Sequence, residues 1–384
     1  MSQPKRSAKD KYLDALKKRY AQAAKKEQGK ILDEYVQTTG YHRKHATAIL
    51  SGRYQPAHRL IHRPRKMIYT AEDAKALAFL SDLFDGINAK LLRAALDVEL
   101  DPLYRRGVLQ VSRACYQRLQ HVSPASIDRL RARYGPPHPK SRHCTRPGTL
   151  LKGQIPICTW ADWNEDQPGF VEMDLVGHDG SNLHGDYCLT LDFTNVKTGW
   201  TECVAVRNKA QIHVFEAIRL ARSRLPFPLR GLDSDNGSEF TNDQLLRYCS
   251  NEHLTFTRGR PGHKNDNPHV EQKSFTAVRR FVGDLRYDTP RHLKLLNALY
   301  EHLHLFLNFF IPIMKLKEKV RSGSKVKRVY DEPQTPYARV LASPHVSAKR
   351  KASLRAQYAH LDLVQLKREI DAIVDQLWQD PHCS

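Results

Sequence analysis

Apolar residues in this chain recur at helical spacing in the first third and at strand spacing further on. Residues 9–24 set Ala and Leu among Lys and Arg, and residues 26–37 bring Ile31, Leu32, Tyr35 and Val36 onto one helical face. Thr38-Thr39-Gly40 interrupts the pattern, and residues 41–51 predict a short helix ending before Gly52. Two more helices are predicted over 72–85 and 88–100, with Leu77, Leu80, Leu83 and Phe84 on one face of the first. A further pair is predicted over 107–120 and 123–134, where Ser123 suits an N-cap and Pro124 the first helical position. In that last helix Ile127, Leu130 and Tyr134 would face inward and Arg129, Arg131 and Arg133 outward.

Residues 135–153 are basic, rich in Pro and without periodicity, which marks a domain boundary. Beyond about residue 166 the period becomes two. Strands are predicted over 169–176, 186–194 and 200–206, the last two joined by the turn Asn195-Val196-Lys197-Thr198-Gly199. A helix over 208–224, a strand from Leu229 to Asp235, a helix over 241–252, a strand over 254–258 and a helix over 268–283 follow. Three strands and then alternating elements imply an α/β class with a mixed sheet and helices packed on it. Residues 291–311 predict a helix burying Leu293, Leu296, Leu299, Leu303 and Phe306. Residues 315–330 read as a basic flexible stretch, and 349–378 as one long charged helix. No internal repeat is present.

Charge gives the helices a role. The 384 residues hold 62 Lys and Arg against 41 Asp and Glu, a formal net charge of +21. An excess of this size points to a polyanion, with nucleic acid ahead of an acidic membrane. Residues 1–66 alone hold 17 Lys and Arg against 5 Asp and Glu. Two helices joined by a short turn containing Gly match a helix-turn-helix. His42, Arg43 and Lys44 would stand at the start of its second helix, where such helices meet base edges and phosphates. A plain helical hairpin with a basic solvated face is the alternative. The pair over 107–134 reads as a second such unit, with Arg129 and Arg131 toward DNA, or as a structural three-helix bundle.

No apolar run approaches the roughly 20 residues that span a bilayer, so no membrane partner is expected. The start, Met-Ser-Gln-Pro-Lys-Arg, has no apolar stretch behind it. Seven scattered cysteines without C-x-x-C spacing suit a reducing, cytoplasmic compartment, and a nucleic-acid partner would make the protein nucleoid-associated. His178, His184 and Cys188 have no zinc-site spacing.

Three acids stand where packing alone does not call for them. Alternation in Phe170-Val171-Glu172-Met173-Asp174-Leu175-Val176 puts Val171, Met173 and Leu175 on one face and Glu172 and Asp174 on the other. Asp235 ends a strand before the turn signal Asn236-Gly237, a usual place for a site in such sheets. Glu271 shares a helical stripe with Phe275, Val278 and Val282. A buried carboxylate is costly unless a cation accompanies it. Two Mg²⁺ ions held by such carboxylates can activate an attacking oxygen and stabilise a leaving one in phosphodiester transfer. A salt-bridged structural acid is the alternative for each position alone.

Spacing and neighbouring strings add to this. Asp174 precedes Asp235 by 61 positions, and 35 residues intervene between Asp235 and Glu271. With Asp233-Ser234-Asp235-Asn236-Gly237-Ser238-Glu239-Phe240 and Asn267-Pro268-His269-Val270-Glu271-Gln272-Lys273, residues 165–310 resemble the integrase-type catalytic core of DDE transposases from bacterial insertion sequences. The resemblance implies a ribonuclease H-like core within this order: an N-terminal helix-turn-helix region over 1–58, a second helical region over 66–135 and a basic linker over 136–164. The core over 165–310 and a basic, helical C-terminal region over 311–384 complete it. It also implies Asp174, Asp235 and Glu271 as ligands of two Mg²⁺ ions, with Mn²⁺ able to substitute. Glu172, Asp233 and Asp266 have no counterpart in that triad.

The implied reaction is hydrolysis at an element end followed by attack of the freed 3′-hydroxyl on target DNA. The implied partners are double-stranded terminal repeats and target DNA, bound by a homodimer or higher oligomer. Beside the triad, Arg258, Arg260, Lys264, Lys273 and Arg279 suit phosphate contacts, against the alternative of a solvated basic surface. A nuclease of the same fold that only hydrolyses, or a noncatalytic DNA-binding regulator, are the competing functions. The helix-turn-helix counts against the first and the intact triad against the second.

Overall fold

The computed structural model describes residues 8–54, 67–134, 167–234, 240, 243–258, 274–322 and 325–380. The chain divides into two compact units, residues 1–68 and 69–384.

The first unit contains helices α1 (Ala8–Gln22), α2 (Lys25–Thr39) and α3 (Arg43–Leu50). Leu16, Ile31, Leu32, Tyr35, Ala46, Ile49 and Leu50 form its core. Gly40 ends α2 at φ 68°, and its N–H reaches Val36 O. That left-handed conformation is the one glycine adopts without a β-carbon clash, so the break lies where the sequence put it. The side chain of His42 caps α3 by accepting from the Lys44 N–H.

The second unit begins with α4 (Ala71–Leu83), α5 (Ala89–Arg105), α6 (Arg113–Gln120) and α7 (Pro124–Tyr134). Helix α5 runs five residues past its expected end, through Pro102. Helix α6 starts late: Gly107 turns at φ 69°, and Ser112 is the residue that caps the helix, accepting from the Cys115 N–H. Leu77, Leu80, Leu92, Leu96, Leu119 and Ile127 belong to the same continuous core as the sheet that follows. Tyr134, expected to face inward, is 51% exposed among the described residues, and Arg133 lies over its ring.

A mixed five-stranded sheet is built from β1 (Phe170–Gly177), β2 (Leu189–Asn195), β3 (Thr201–Val206), β4 (Gly231–Ser234) and β5 (Thr255–Arg258). Its order is β3-β2-β1-β4-β5. Strands β1, β2 and β3 form an antiparallel meander, and β4 and β5 add in parallel to β1. Helix α8 (Gln211–Arg224) joins β3 to β4, and α9 (Asp243–Asn251) precedes β5. The α/β class and element order are those expected. Every residue of β2 and β3 is buried, so both faces of these strands are covered and strict alternation is lost.

The helix expected over 268–283 takes another form where it is described. Ser274–Arg279 is a π-helical turn that runs into α10 (Arg280–Val282). A π turn closes i→i+5 bonds and shifts the angular position of each side chain. Ala277, Val278, Phe281 and Val282 are consequently the buried set, while Phe275 is 53% exposed. Of the stripe expected to hold Phe275, Val278 and Val282, the two valines lie on the packed face and Phe275 does not. Helix α11 (Pro290–Leu305) likewise widens into a π turn, Phe306–Phe310, all of it buried.

The C-terminal region departs furthest from expectation. The stretch read as flexible is a hairpin of β6 (Leu316–Ser322) and β7 (Lys325–Tyr330). Ser322-Gly323-Ser324 between β-branched Val320 and Val326 is a turn signal that the charges obscured. Helix α12 (Pro336–Ala342) follows. The single long helix is two, α13 (Ala348–His360) and α14 (Leu363–Trp378). Asp362 accepts from the Val364 and Gln365 N–H groups and so starts α14 afresh. Leu363, Leu366, Ile370 and Leu377 are buried in α14, and Glu369 meets His302 of α11 at 3.3 Å. Among the described residues no helix is long and apolar enough to cross a membrane.

Candidate active site

Asp174 lies in the middle of β1, between the fully buried Met173 and the partly buried Leu175. It is itself half-buried. The Leu175 N–H donates to Asp174 Oδ1 at 2.8 Å, and Ser274 Oγ donates to Oδ2 at 3.1 Å. Across the sheet its antiparallel partner is Asp192 of β2. Asp192 is wholly buried, and Thr194 Oγ1 donates to its Oδ1 at 2.8 Å.

On the other side of β1 the parallel register sets Glu172 beside Asp233 and Met173 beside Ser234. Ser234 in turn is the partner of Arg258 at the end of β5. The chain continues from Ser234 into Asp235, and Ser274 follows Glu271 by three positions. Asp235, Arg260, Lys264, Glu271 and Lys273 lie outside the described residues. The described site therefore comprises Asp174 together with immediate chain neighbours of the other two acids.

The remaining acids of the sheet are held by protein groups. Thr257 Oγ1 of β5 donates to Asp233. Glu202 of β3 accepts from Trp200 Nε1 at 2.8 Å and stands 3.2 Å from His304 Nδ1. Glu172, expected on the same face as Asp174, is 4% exposed against the half-exposure of Asp174. Among the described residues no three His, Cys, Asp or Glu converge as a metal site. Asp174 does offer what a hard cation takes: a carboxylate that is partly accessible and oriented by N–H and O–H donors.

Just beyond Asp174, His178 is completely buried. Desolvation, and then the positive charge of Arg279, pull its pKa down to about 3, so the ring is neutral. Its Nε2 lies 2.7 Å from Thr190 Oγ1, which lies 2.6 Å from the Tyr300 hydroxyl. This chain of bonds joins β1, β2 and α11 under the site. Burial pushes the Cys188 and Cys249 thiols up to about 12, which rules both out as thiolate nucleophiles at neutral pH.

Several basic residues expected to meet DNA are engaged within the protein. Arg279 is 17% exposed; it donates to Gly177 O at 2.7 Å and pairs with Asp284 at 3.0 Å. It fastens the π turn to the end of β1. Arg131 turns inward, donating to Ser81 Oγ at 3.0 Å and to Ile87 O at 2.6 Å. It therefore secures α7 to α4 and to the loop after it. Arg280 pairs with Asp85 in that same loop. Arg129 is exposed, with bonds to Ala125 O and Ser126 Oγ in its own helix.

In the first unit His42, Arg43 and Lys44 are all exposed at the start of α3. Arg43 also pairs with Asp33 of α2. Ser274 had no signal in the sequence, because a lone serine within a predicted helix is unremarkable until its partner 100 residues away is known.

No protein-family model matches the chain. It is 37% identical over 333 residues to an uncharacterized protein of Sinorhizobium fredii, y4rM, a match that covers 85% of this chain and 93% of that protein. Among solved structures, the catalytic core domain of BIV integrase matches 49% of this chain and 97% of that domain, at 18% identity and a TM-score of 0.28. A likeness that loose carries no functional argument.

Proposed function

The chain belongs to one family with the Sinorhizobium fredii protein, and we propose that it is a metal-dependent DNA transposase. The observation that supports this most is the Ser274–Asp174 bond. It draws the segment following Glu271 onto the strand that carries the first acid. The parallel register of β4 on β1 does the same for the segment preceding Asp235. The Asp, Asp-35-Glu spacing and a basic N-terminal helical unit point the same way.

In this reading Asp174, Asp235 and Glu271 hold two Mg²⁺ ions, with Mn²⁺ able to substitute. The metals supply activation of the attacking oxygen and charge stabilisation on the leaving one. The protein groups orient. The Leu175 N–H and Ser274 hydroxyl keep the Asp174 carboxylate in one position, and the buried His178–Thr190–Tyr300 bonds stiffen the strand end beneath it. Exposed cations on α3 engage DNA phosphates at the element ends. Water first hydrolyses a phosphodiester there, and the 3′-hydroxyl so freed attacks a phosphodiester of target duplex, joining to its 5′-phosphate and releasing the target strand's own 3′-hydroxyl. A dimer or larger assembly holds two ends together.

The test is to incubate the purified chain with Mg²⁺ or Mn²⁺, labelled ends of its own element and a second duplex, beside Asp174→Asn and Glu271→Gln. The expected outcome is end cleavage and joining by the wild type. Each variant should lose at least 10³-fold in rate and keep its affinity for the ends. Cleavage without joining would make it a nuclease. End binding without product in either metal would make it a regulator.

A further inference from the structure

The β6–β7 hairpin has a composition and a placement that packing does not explain. Residues 315–330 hold seven Lys or Arg and a single acid, Glu318. The two strands pair with each other and, among the described residues, with no other strand. Among the hairpin residues whose side chains are described, none is buried or belongs to the hydrophobic core. Lys317, Arg321, Lys327 and Arg328 are exposed, and so are Val320 and Tyr330. Among the described residues none of those four cations has an acidic partner. The register sets Lys319 opposite Arg328 and Val320 opposite Lys327.

An isolated two-stranded hairpin is marginal in water, and like charges opposite one another weaken it further. This one is held at its root. Ile313 and Gln334 exchange both backbone bonds, at 2.9 and 3.1 Å. Lys315 N donates to Asp331 Oδ1 at 2.6 Å, and Lys315 Nζ donates to Lys197 O in the β2–β3 turn at 3.0 Å. Arg339 of α12 clamps Asp331 at 2.7 Å and Ile313 O at 3.2 Å. The result is a rooted base with a cationic arm beyond it.

We infer that the β6–β7 hairpin is a DNA-binding ribbon that lies in a groove of duplex DNA, with Lys317, Arg321, Lys327 and Arg328 on its phosphates. This rests on the reading of DNA as the partner. A two-stranded ribbon is of a width that the major groove, about 12 Å across, admits. Alternate residues of a strand repeat at about 7 Å, close to every second phosphate measured along the duplex axis. Lys and Arg on phosphates position the protein without reading sequence, so the contact is indifferent to base order. The β2–β3 turn lies where β1 begins, since Asn195 pairs with Val171, three residues before Asp174. The ribbon is thus rooted at the end of β1 that precedes Asp174, and it supplies affinity rather than a group for the chemical step.

The test uses the full chain with Lys317→Gln, Arg321→Gln, Lys327→Gln and Arg328→Gln combined. Binding to a duplex of arbitrary sequence, about 30 base pairs long, is followed by fluorescence anisotropy across a salt series. The expected result is affinity at least 10-fold lower, with the slope of log K on log salt shallower by about 3 to 4. A charge-retaining set, Lys317→Arg, Arg321→Lys, Lys327→Arg and Arg328→Lys, should keep both values. An unaltered slope in the Gln set overturns the proposal. So does an equal loss in the charge-retaining set, which would make the effect structural. Loss of binding to anionic phospholipid vesicles with duplex affinity intact also overturns it, in favour of a membrane surface. Cleavage assayed on the same samples separates the two readings. A wild type that binds through the ribbon but never cuts refutes the transposase alone, and one that cuts with an unaltered slope refutes the ribbon alone.

Discussion

Ser274 Oγ donates a 3.1 Å hydrogen bond to Asp174 Oδ2, joining the π turn to the central strand of the sheet. A bond to an ionised carboxylate is worth about 1.5–3 kcal/mol, twice or more that of a neutral pair. If Asp174 holds a metal, this bond decides how well its second oxygen is aimed. Ser274→Ala should slow single-turnover strand cleavage by about 10-fold or more, with duplex affinity unchanged. Ser274→Thr, which keeps the hydroxyl, should recover most of the rate. A Ser274→Ala variant as fast as wild type would show that the bond has no part in orienting the carboxylate.

His178 gives the fold a defined response to acid. Its folded pKa of about 3 lies far below the roughly 6.5 of an unfolded histidine. Between those values the unfolded chain takes up a proton that the folded chain refuses. Its contribution is therefore fully present above pH 6.5 and is lost as pH falls toward 3, by about 1.4 kcal/mol per pH unit. Urea midpoints for wild type and His178→Gln, compared at pH 7, 5.5 and 4.5, should converge as pH falls. Parallel curves would count against a neutral buried imidazole.

Arg131 separates a structural role from a DNA-binding one. Burial lowers its pKa, and its bonds to Ser81 and Ile87 join α7 to the rest of the helical layer. Arg131→Met should destabilise the protein by about 1–3 kcal/mol and leave the DNA affinity of the folded fraction unchanged. Lys44→Gln, at the exposed start of α3, should do the reverse. A loss of affinity with no loss of stability in Arg131→Met would restore the outward-facing role that the helical wheel suggests.

Gly199 sits in the β2–β3 turn at φ 70°, and a β-carbon there would stand 2.0 Å from Ile313 Cδ1. The backbone conformation disfavours a side chain, and the end of Ile313 would have to move aside for one. Gly199→Ala should cost about 1–3 kcal/mol of stability in chemical denaturation. Because Ile313 opens the root of the hairpin, amide exchange in β6 and β7 should also quicken. Slow exchange there in the variant would mean that the root holds without this contact.

Most elements were legible because their signals are local. The helices of residues 8–50 and the strands β1 to β5 follow from period, turn residues and caps that a window of about ten residues contains. Asp174 could be singled out for the same reason, as an acid in the middle of a run of apolar strand residues. The hairpin was not legible because Lys and Arg dominate its strands and Leu316, Val320, Val326, Val329 and Tyr330 follow no strict alternation. The π turn was not legible. It depends on which residues the sheet and α11 can receive, and it turned Phe275 outward while Val278 and Val282 stayed in.

By itself the sequence determined the α/β class, the element order, the basic excess and the spacing of Asp174, Asp235 and Glu271, all of which are properties of one stretch of chain or of arithmetic along it. Tertiary structure alone decided that residues 69–134 share a core with the sheet, that Arg131 and Arg279 spend their guanidiniums on Ile87 O and Gly177 O, and that Ser274 reaches Asp174. The physical reason is the same in each case. A hydrogen bond or a buried contact needs both partners, and here the second lies 44 to 102 residues from the first. Local propensity shows that an arginine is present; only the packed chain shows what is left for it to bind.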